Sequence, residues 1–217
     1  MSEKFARKWG EGKDGTPLTT RIKEAIRSPR PLRPRLDYAI KRIQTQIERL
    51  DKATNHFSER DKSIFAKVVE AYSKHDMARA NVFANELAAM RKMEKTIIHS
   101  RLALEQIVLR LSTVSELGDV VSTLAPAVGV MRGVRNGMAA VFPEAERELG
   151  SIGNLLNGIM MDAGHSTGVN IDFQTASEDA QTILNEAATV AEHKVQEKFP
   201  ELPAGMLAFD EAAQTET

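Results

Sequence analysis

Between Arg35 and Tyr72 the chain contains neither glycine nor proline, and its apolar residues return in a regular rhythm. Leu36, Ile40, Ile43, Ile47, Leu50, Phe57, Ile64, Val68 and Tyr72 fall at steps of three, four or seven. That spacing puts them on one face of an α-helix about 55 Å long at a rise of 1.5 Å per residue. Thr54 and Asp61 occupy positions where the apolar stripe skips. A rod of this length cannot bury its stripe against itself, so the remainder of the chain, or another chain, must cover it.

The sequence "YSKHD" follows, a tight connection with Asp76 as the helix N-cap. A second run then carries Met77, Phe83, Leu87, Met90, Ile97, Leu104, Val108 and Leu111 on one side, and the first glycine after Asp76 is Gly118. Two long helices joined by a few residues form an antiparallel helical hairpin, read here at about residues 35–115. Composition agrees: the 217 residues are 42% hydrophobic but only 5% aromatic, and good helix formers dominate the middle of the chain. The fold class is therefore all-α, a long hairpin followed by shorter helices.

The flanks read differently. Residues 1–34 are a basic segment outside any packed domain, with short helices at about 2–9 and 17–27. The connector "RSPRPLRPR" ends it, where Pro29, Pro31 and Pro34 lack amide donors. Residues 116–141 are small and apolar, and they read as broken by Pro126, Gly129, Gly133 and Gly137. "FPEAERELG" restarts a helix, with Pro143 in its first turn and Glu144, Glu146 and Glu148 at its positive end. That helix runs through "SIGNLLNGIMM" and completes a core over residues 35–162. Residues 163–217 then read as a linker, "DAGHSTGVNIDFQT" at its centre, a helix over 176–198 and an acidic tail.

A net charge of −1 hides a polarity. Residues 1–110 hold 24 lysines and arginines against 14 acids, a balance of +10; residues 111–217 hold 5 against 16, a balance of −11. The basic half suits an anionic partner, and the acidic half suits an internal mask or a neighbouring subunit. With no cysteine there are no disulfides or thiolate metal sites, which suits a reducing compartment. The first ten residues do not read as a signal peptide. "VVSTLAPAVGVM" falls short of the roughly 20 apolar residues of a membrane span.

Catalytic and cofactor chemistry finds little support. His56, His75, His99, His165 and His193 are scattered without metal-ligand spacing, and "GSIGNLLNG" lacks the lysine and hydroxyl of a phosphate loop. No cofactor, metal or enzymatic activity is expected. What the sequence does carry is excess apolar surface: Phe65, Val69, Val82, Met93, Ile98, Leu102 and Ile107 lie off the main stripes. Two arrangements can cover them. One is a closed bundle of four or five helices; the other is contact between copies of the chain, which yields an open filament when the rotation does not close.

The layout and one segment resemble a known family. "GVMRGVRNGMAAVFPEAERELGSIGNLLNGIMMDAG", residues 129–164, resembles the archaeal cell-division members of ESCRT-III, the Cdv system. The resemblance covers about residues 15–200 and matches the shorter members, which lack a C-terminal winged-helix module. It implies a subunit of homopolymeric or mixed filaments that constrict or sever membrane necks in archaeal cell division. It also implies remodelling by an AAA ATPase with an MIT domain, and a place on the inner face of the cell membrane at the division site. Pro200, Leu202 and Pro203 resemble the family's proline-containing ATPase-recruiting motif, although the same residues also serve as a helix stop.

The N-terminal segment has a reading of its own. Met1, Phe5 and Trp9 are spaced four apart, with Lys4, Arg7 and Lys8 beside them. A helix of this kind lies in the lipid interface, rings among the acyl chains and cations at the phosphates. The alternatives are a short disordered tail and a staple that packs Trp9 against the hairpin or a neighbouring subunit. Arg21, Lys23, Arg27, Arg30, Arg33 and Arg35 add cations, each adding roughly 1 kcal/mol at an anionic surface. Two other functions share the composition: a basic helical nucleic-acid-binding protein and a passive coiled-coil scaffold. The arginine-rich connector has no interleaved aromatic residues for base stacking, so no nucleic-acid partner is expected.

Overall fold

The computed structural model describes residues 31–114, 117–168 and 173–199. Those residues hold five helices and no strand: α1 (Leu32–Ser73), α2 (Met77–Ser112), α3 (Leu117–Met138), α4 (Pro143–Thr167) and α5 (Phe173–Lys198). From Arg33 onward they belong to one compact unit, Arg33–Thr217. The short helices expected at 2–9 and 17–27 lie outside the described residues.

α1 begins at Leu32, earlier than the apolar rhythm indicated. Pro34 thus sits in the first turn, where a missing N–H leaves no helical bond unmade. The 42 residues of α1 make a rod of about 63 Å. Lys74 and His75 turn the chain, His75 in the left-handed region at φ 59°. The Asp76 carboxylate caps α2 by accepting from the Arg79 amide at 3.1 Å.

The apolar stripes are only partly the buried ones. Leu36, Ile43, Leu50, Ile64 and Val68 of α1 and Leu87, Met90, Ile97, Leu104 and Leu111 of α2 are buried, whereas Tyr72 and Met77 are exposed. Asp61, read as a gap in the stripe, is buried within it. Of the off-stripe residues, Ile98 and Ile107 are buried, while Val69, Val82 and Met93 are exposed.

α3 corrects the sequence reading. Residues 117–138 form one continuous helix, with Pro126, Gly129, Gly133 and Gly137 inside it. Packing outweighs intrinsic propensity here. A Cβ on Gly129 would sit 2.8 Å from the Ala180 Cβ, and one on Gly133 would sit 2.7 Å from Leu184 Cδ1. The glycines let α5 approach α3 more closely than side chains would permit. The linker at 162–175 also shrinks: α4 continues to Thr167 and closes on Gly168 in the left-handed region, and α5 starts at Phe173. Buried Ala163 and the pairing of Asp162 with Arg35 hold that added turn of α4 in place.

α3 and α4 run antiparallel, joined by Arg135 Nε donating to Glu146 at 2.6 Å. α4 lies beside α1, and α5 lies along α2 in the opposite sense. Along that second contact His99 Nε2 donates to the Leu184 carbonyl at 2.9 Å and Lys95 pairs with Glu192 at 2.9 Å. The three C-terminal helices thus pack on the half of the hairpin far from its turn.

Candidate functional site

Charge guides that packing. Along α1, Arg35 pairs with Asp162, and Arg42 pairs with Glu148 while donating to Ser151 Oγ at 3.1 Å. Along α2, Lys95 pairs with Glu192. In each pair a cation of the basic half meets an acid of the acidic half. The two opposite charge balances are therefore spent partly on each other, within one chain. Such partly exposed pairs contribute about 0–1 kcal/mol each, so they orient the helices more than they stabilise them.

A different cluster lies midway along the hairpin. Asp61 of α1 and Glu94 of α2 both occupy seam positions, where periodicity calls for apolar residues, and both are buried. Arg91 answers Asp61 with two hydrogen bonds, from Nε at 2.6 Å and from Nη2 at 3.2 Å. This fork matches a carboxylate and fixes its orientation. Glu94 is answered from α5, where Lys198 Nζ donates to Oε1 at 2.8 Å. Phe199, the next residue, is buried, with the Arg91 guanidinium 4.9 Å from its ring centroid. The end of α5 therefore caps two buried carboxylates. Burial pushes the Glu94 carboxyl above the usual carboxylate range, an effect that outweighs the opposing Lys198 hydrogen bond. At the exposed Lys95–Glu192 pair the direction reverses, and the lysine holds Glu192 below its usual range.

Of the residues read as membrane-binding, Met1, Lys4, Phe5, Arg7, Lys8, Trp9, Arg21, Lys23, Arg27 and Arg30 lie outside the described residues. Arg33 and Arg35 are described, and both have intramolecular partners: Arg33 Nη1 donates to the Val114 carbonyl at 3.1 Å, and Arg35 donates to Asp162. Pro200, Leu202 and Pro203 also lie outside. The sequence reading noted Asp61 only as a gap and missed Arg91, Glu94 and Lys198. Acids at seam positions were the available signal; the link to Lys198, more than a hundred residues on, was not.

Beyond the caps, the outer hairpin is held, among the described residues, by the two helices alone. Ile64, Val68, Ala71, Ala80, Ala84, Leu87 and Met90 form a narrow core, with Phe57, Phe65 and Phe83 at its edges. Around it Val69, Tyr72, Met77, Val82 and Met93 face outward, Val82 at 64% exposure. Among the described residues no group of histidines and acids could hold a metal ion, and no helix is long and apolar enough to cross a membrane.

A relative from Sulfolobus acidocaldarius, Cell division protein B1, is 43% identical over 178 residues, spanning 82% of this chain and 83% of that protein. The chain belongs to the archaeal cell division protein B family. A second member from the same organism, Cell division protein B, is 36% identical over 162 residues, spanning 75% of this chain and 62% of that protein. No family profile and no solved structure matches the chain. Membership in this ESCRT-III-like family carries a role in archaeal cell division, and the all-helical hairpin architecture agrees with it. The segment 129–164 that resembles the family supplies the C-terminal part of α3 and most of α4, including the glycines that admit α5 and the acids that meet α1.

Proposed function

We propose that the chain is an ESCRT-III-like filament subunit that polymerises on membranes and drives constriction and scission in archaeal cell division. Its partners are copies of itself and related division subunits, anionic lipids, and an AAA ATPase with an MIT domain that remodels the filament. It acts on the cytoplasmic face of the cell membrane at the division site. The 43% identity to Cell division protein B1 over most of both chains carries the reading. The uncovered apolar residues of the outer hairpin support the polymer in particular, since large exposed patches mark interaction surfaces.

In this reading Met1, Phe5 and Trp9 enter the lipid interface while Lys4, Arg7, Lys8, Arg21, Lys23, Arg27 and Arg30 meet its phosphates. Arg33 and Arg35 join them only after leaving their internal partners. Pro200, Leu202 and Pro203 recruit the ATPase. Single subunits bind weakly, and a filament multiplies their binding through effective concentration. The seated α5 is the free subunit's conformation and leaves the hairpin on assembly.

Co-sedimentation tests the proposal. The full chain, and a chain lacking residues 1–15, are mixed with anionic liposomes, with neutral liposomes and with RNA. The expected result is pelleting with anionic liposomes that weakens on truncation, with filaments in electron micrographs. A full chain that stays a small particle with and without anionic liposomes, or one that pellets only with RNA, overturns it.

A further inference from the structure

Glu94 is 0% exposed in the middle of α2, and its Oε2 has no hydrogen-bond partner. Three charged groups face it. Asp61 comes from α1, Arg91 lies one turn earlier on its own helix, and Lys198 comes from α5. Arg91 is committed to Asp61 through both arms of its fork and is covered by Phe199. Glu94 is left with Lys198, whose side chain is 34% exposed. Lys194 and Glu197, on the same last turns of α5, line an adjoining cavity of about 400 Å³ with Asp51 and Arg101. One buried carboxylate is thus fully answered and the other is half-answered, by a residue at the very end of a helix.

We propose that Glu94 is a proton-operated latch for the C-terminal helix: ionised, it biases α5 toward release, and protonated, it lets α5 seat on the hairpin. The latch rests on the reading that α5 leaves the hairpin when subunits assemble. Its sign follows from burial. With α5 away, Glu94 loses the helix end that closes over it and gains water, so its proton affinity falls toward that of an ordinary carboxyl. With α5 seated, desolvation raises its proton affinity, and the lysine only partly compensates. The seated state therefore takes up a proton at a pH where the released state does not, and acidification draws the helix in. An ordinary exposed ion pair does the reverse, because acid removes its anion.

The full chain has no cysteine, so two can be placed at will. Spin labels on Ala89→Cys of α2 and Thr189→Cys of α5, both at exposed positions, report the seated fraction by their distance distribution. Between about pH 7.5 and about pH 5, the ratio of seated to released molecules is expected to rise several-fold, and to go on rising as pH falls through the ordinary carboxylate range. Glu94→Gln is expected to hold the acid-like ratio throughout the range. Lys198→Met is expected to be more released than the parent near neutrality and to recover on acidification. A parent distribution that does not move with pH overturns the latch, as does a Glu94→Gln chain that keeps the parent response. Pelleting the same samples with anionic vesicles separates the two readings. A chain whose labels respond to acid but which never pellets keeps the latch and loses the filament. One that pellets while its labels ignore pH loses the latch.

Discussion

The two halves of the hairpin use the same pair of helices in different ways. Far from the turn, α2 buries Ile97, Ile98, Ala103, Leu104, Ile107 and Leu111, including neighbours in sequence, so two of its faces are covered. Near the turn it buries Ala80, Ala84, Leu87 and Met90, at steps of three or four, and only one face is covered. Sequential neighbours point about 100° apart on a helix, so their joint burial requires partners on two sides. α1 supplies one side, tied to α2 at Arg60–Glu86, Asp61–Arg91 and Asp51–Arg101; among the described residues α3 and α5 supply the other at one end. The outer half has a core rich in alanine and leaves Val69, Tyr72, Val82 and Met93 in water. One half is finished as a domain, and the other is shaped as a surface.

The largest effect tests that contrast with one residue type. Leu104 and Leu87 are both 0% exposed, one in each half. Leu104→Ala is expected to cost toward the upper end of the about 2–5 kcal/mol typical of buried leucine truncation, because a site walled on two sides cannot collapse. Leu87→Ala is expected near the lower end, since two helices alone can close toward each other. Urea unfolding of the two variants decides it, and equal losses would erase the distinction between the halves.

A second pair of substitutions sharpens how the covered half is closed. Gly129→Ala brings a Cβ to 2.8 Å from the Ala180 Cβ, an atom fixed to its backbone, so α5 must move. Overpacking of this kind costs about 1–3 kcal/mol. Gly133→Ala approaches Leu184 Cδ1, the far end of a flexible side chain, and is expected to cost less. Hydrogen exchange should show faster exchange in α5 for Gly129→Ala, and little change around Leu87 in either variant.

The same contrast explains what the sequence revealed. The hairpin was legible because seam periodicity is a local property: Leu36 to Val68 and Leu87 to Leu111 carry it within one helix. α3 was not, because Pro126 and its glycines break a helix by propensity, and the compensation comes from Ala180 and Leu184, some fifty residues on. The extra turn of α4 depended in the same way on Arg35. Asp61 and Glu94 violate the pattern, and their partners restore its balance. The candidate site lies where local rules fail and distant partners repair them.

A smaller effect probes the uncovered half. Val82 is 64% exposed, so Val82→Ser is expected to change stability by no more than about 0.5 kcal/mol. If that half is a contact surface between subunits, the variant nevertheless loses pelleting on anionic vesicles while its unfolding curve stays put. Retained pelleting would remove Val82 from the contact.

The smallest expected effect concerns the exposed end of the α5 contact, where Glu192 meets Lys95 in water. Lysine lowers the proton affinity of Glu192 below its ordinary value of 4.5. A lowered carboxyl contributes to seating above that ordinary value, and its contribution fades as pH falls through the lowered one. Glu192→Gln should therefore release slightly more α5 near neutrality and make no difference in strong acid. Salt should erase the difference, since exposed pairs are screened. Glu94 has the opposite sign and is buried, so Glu94→Gln should favour seating near neutrality and keep its effect in salt. Two glutamates on one helix contact are thus expected to move the same spin-label distance in opposite directions. If both substitutions shift it the same way, burial is not what distinguishes them.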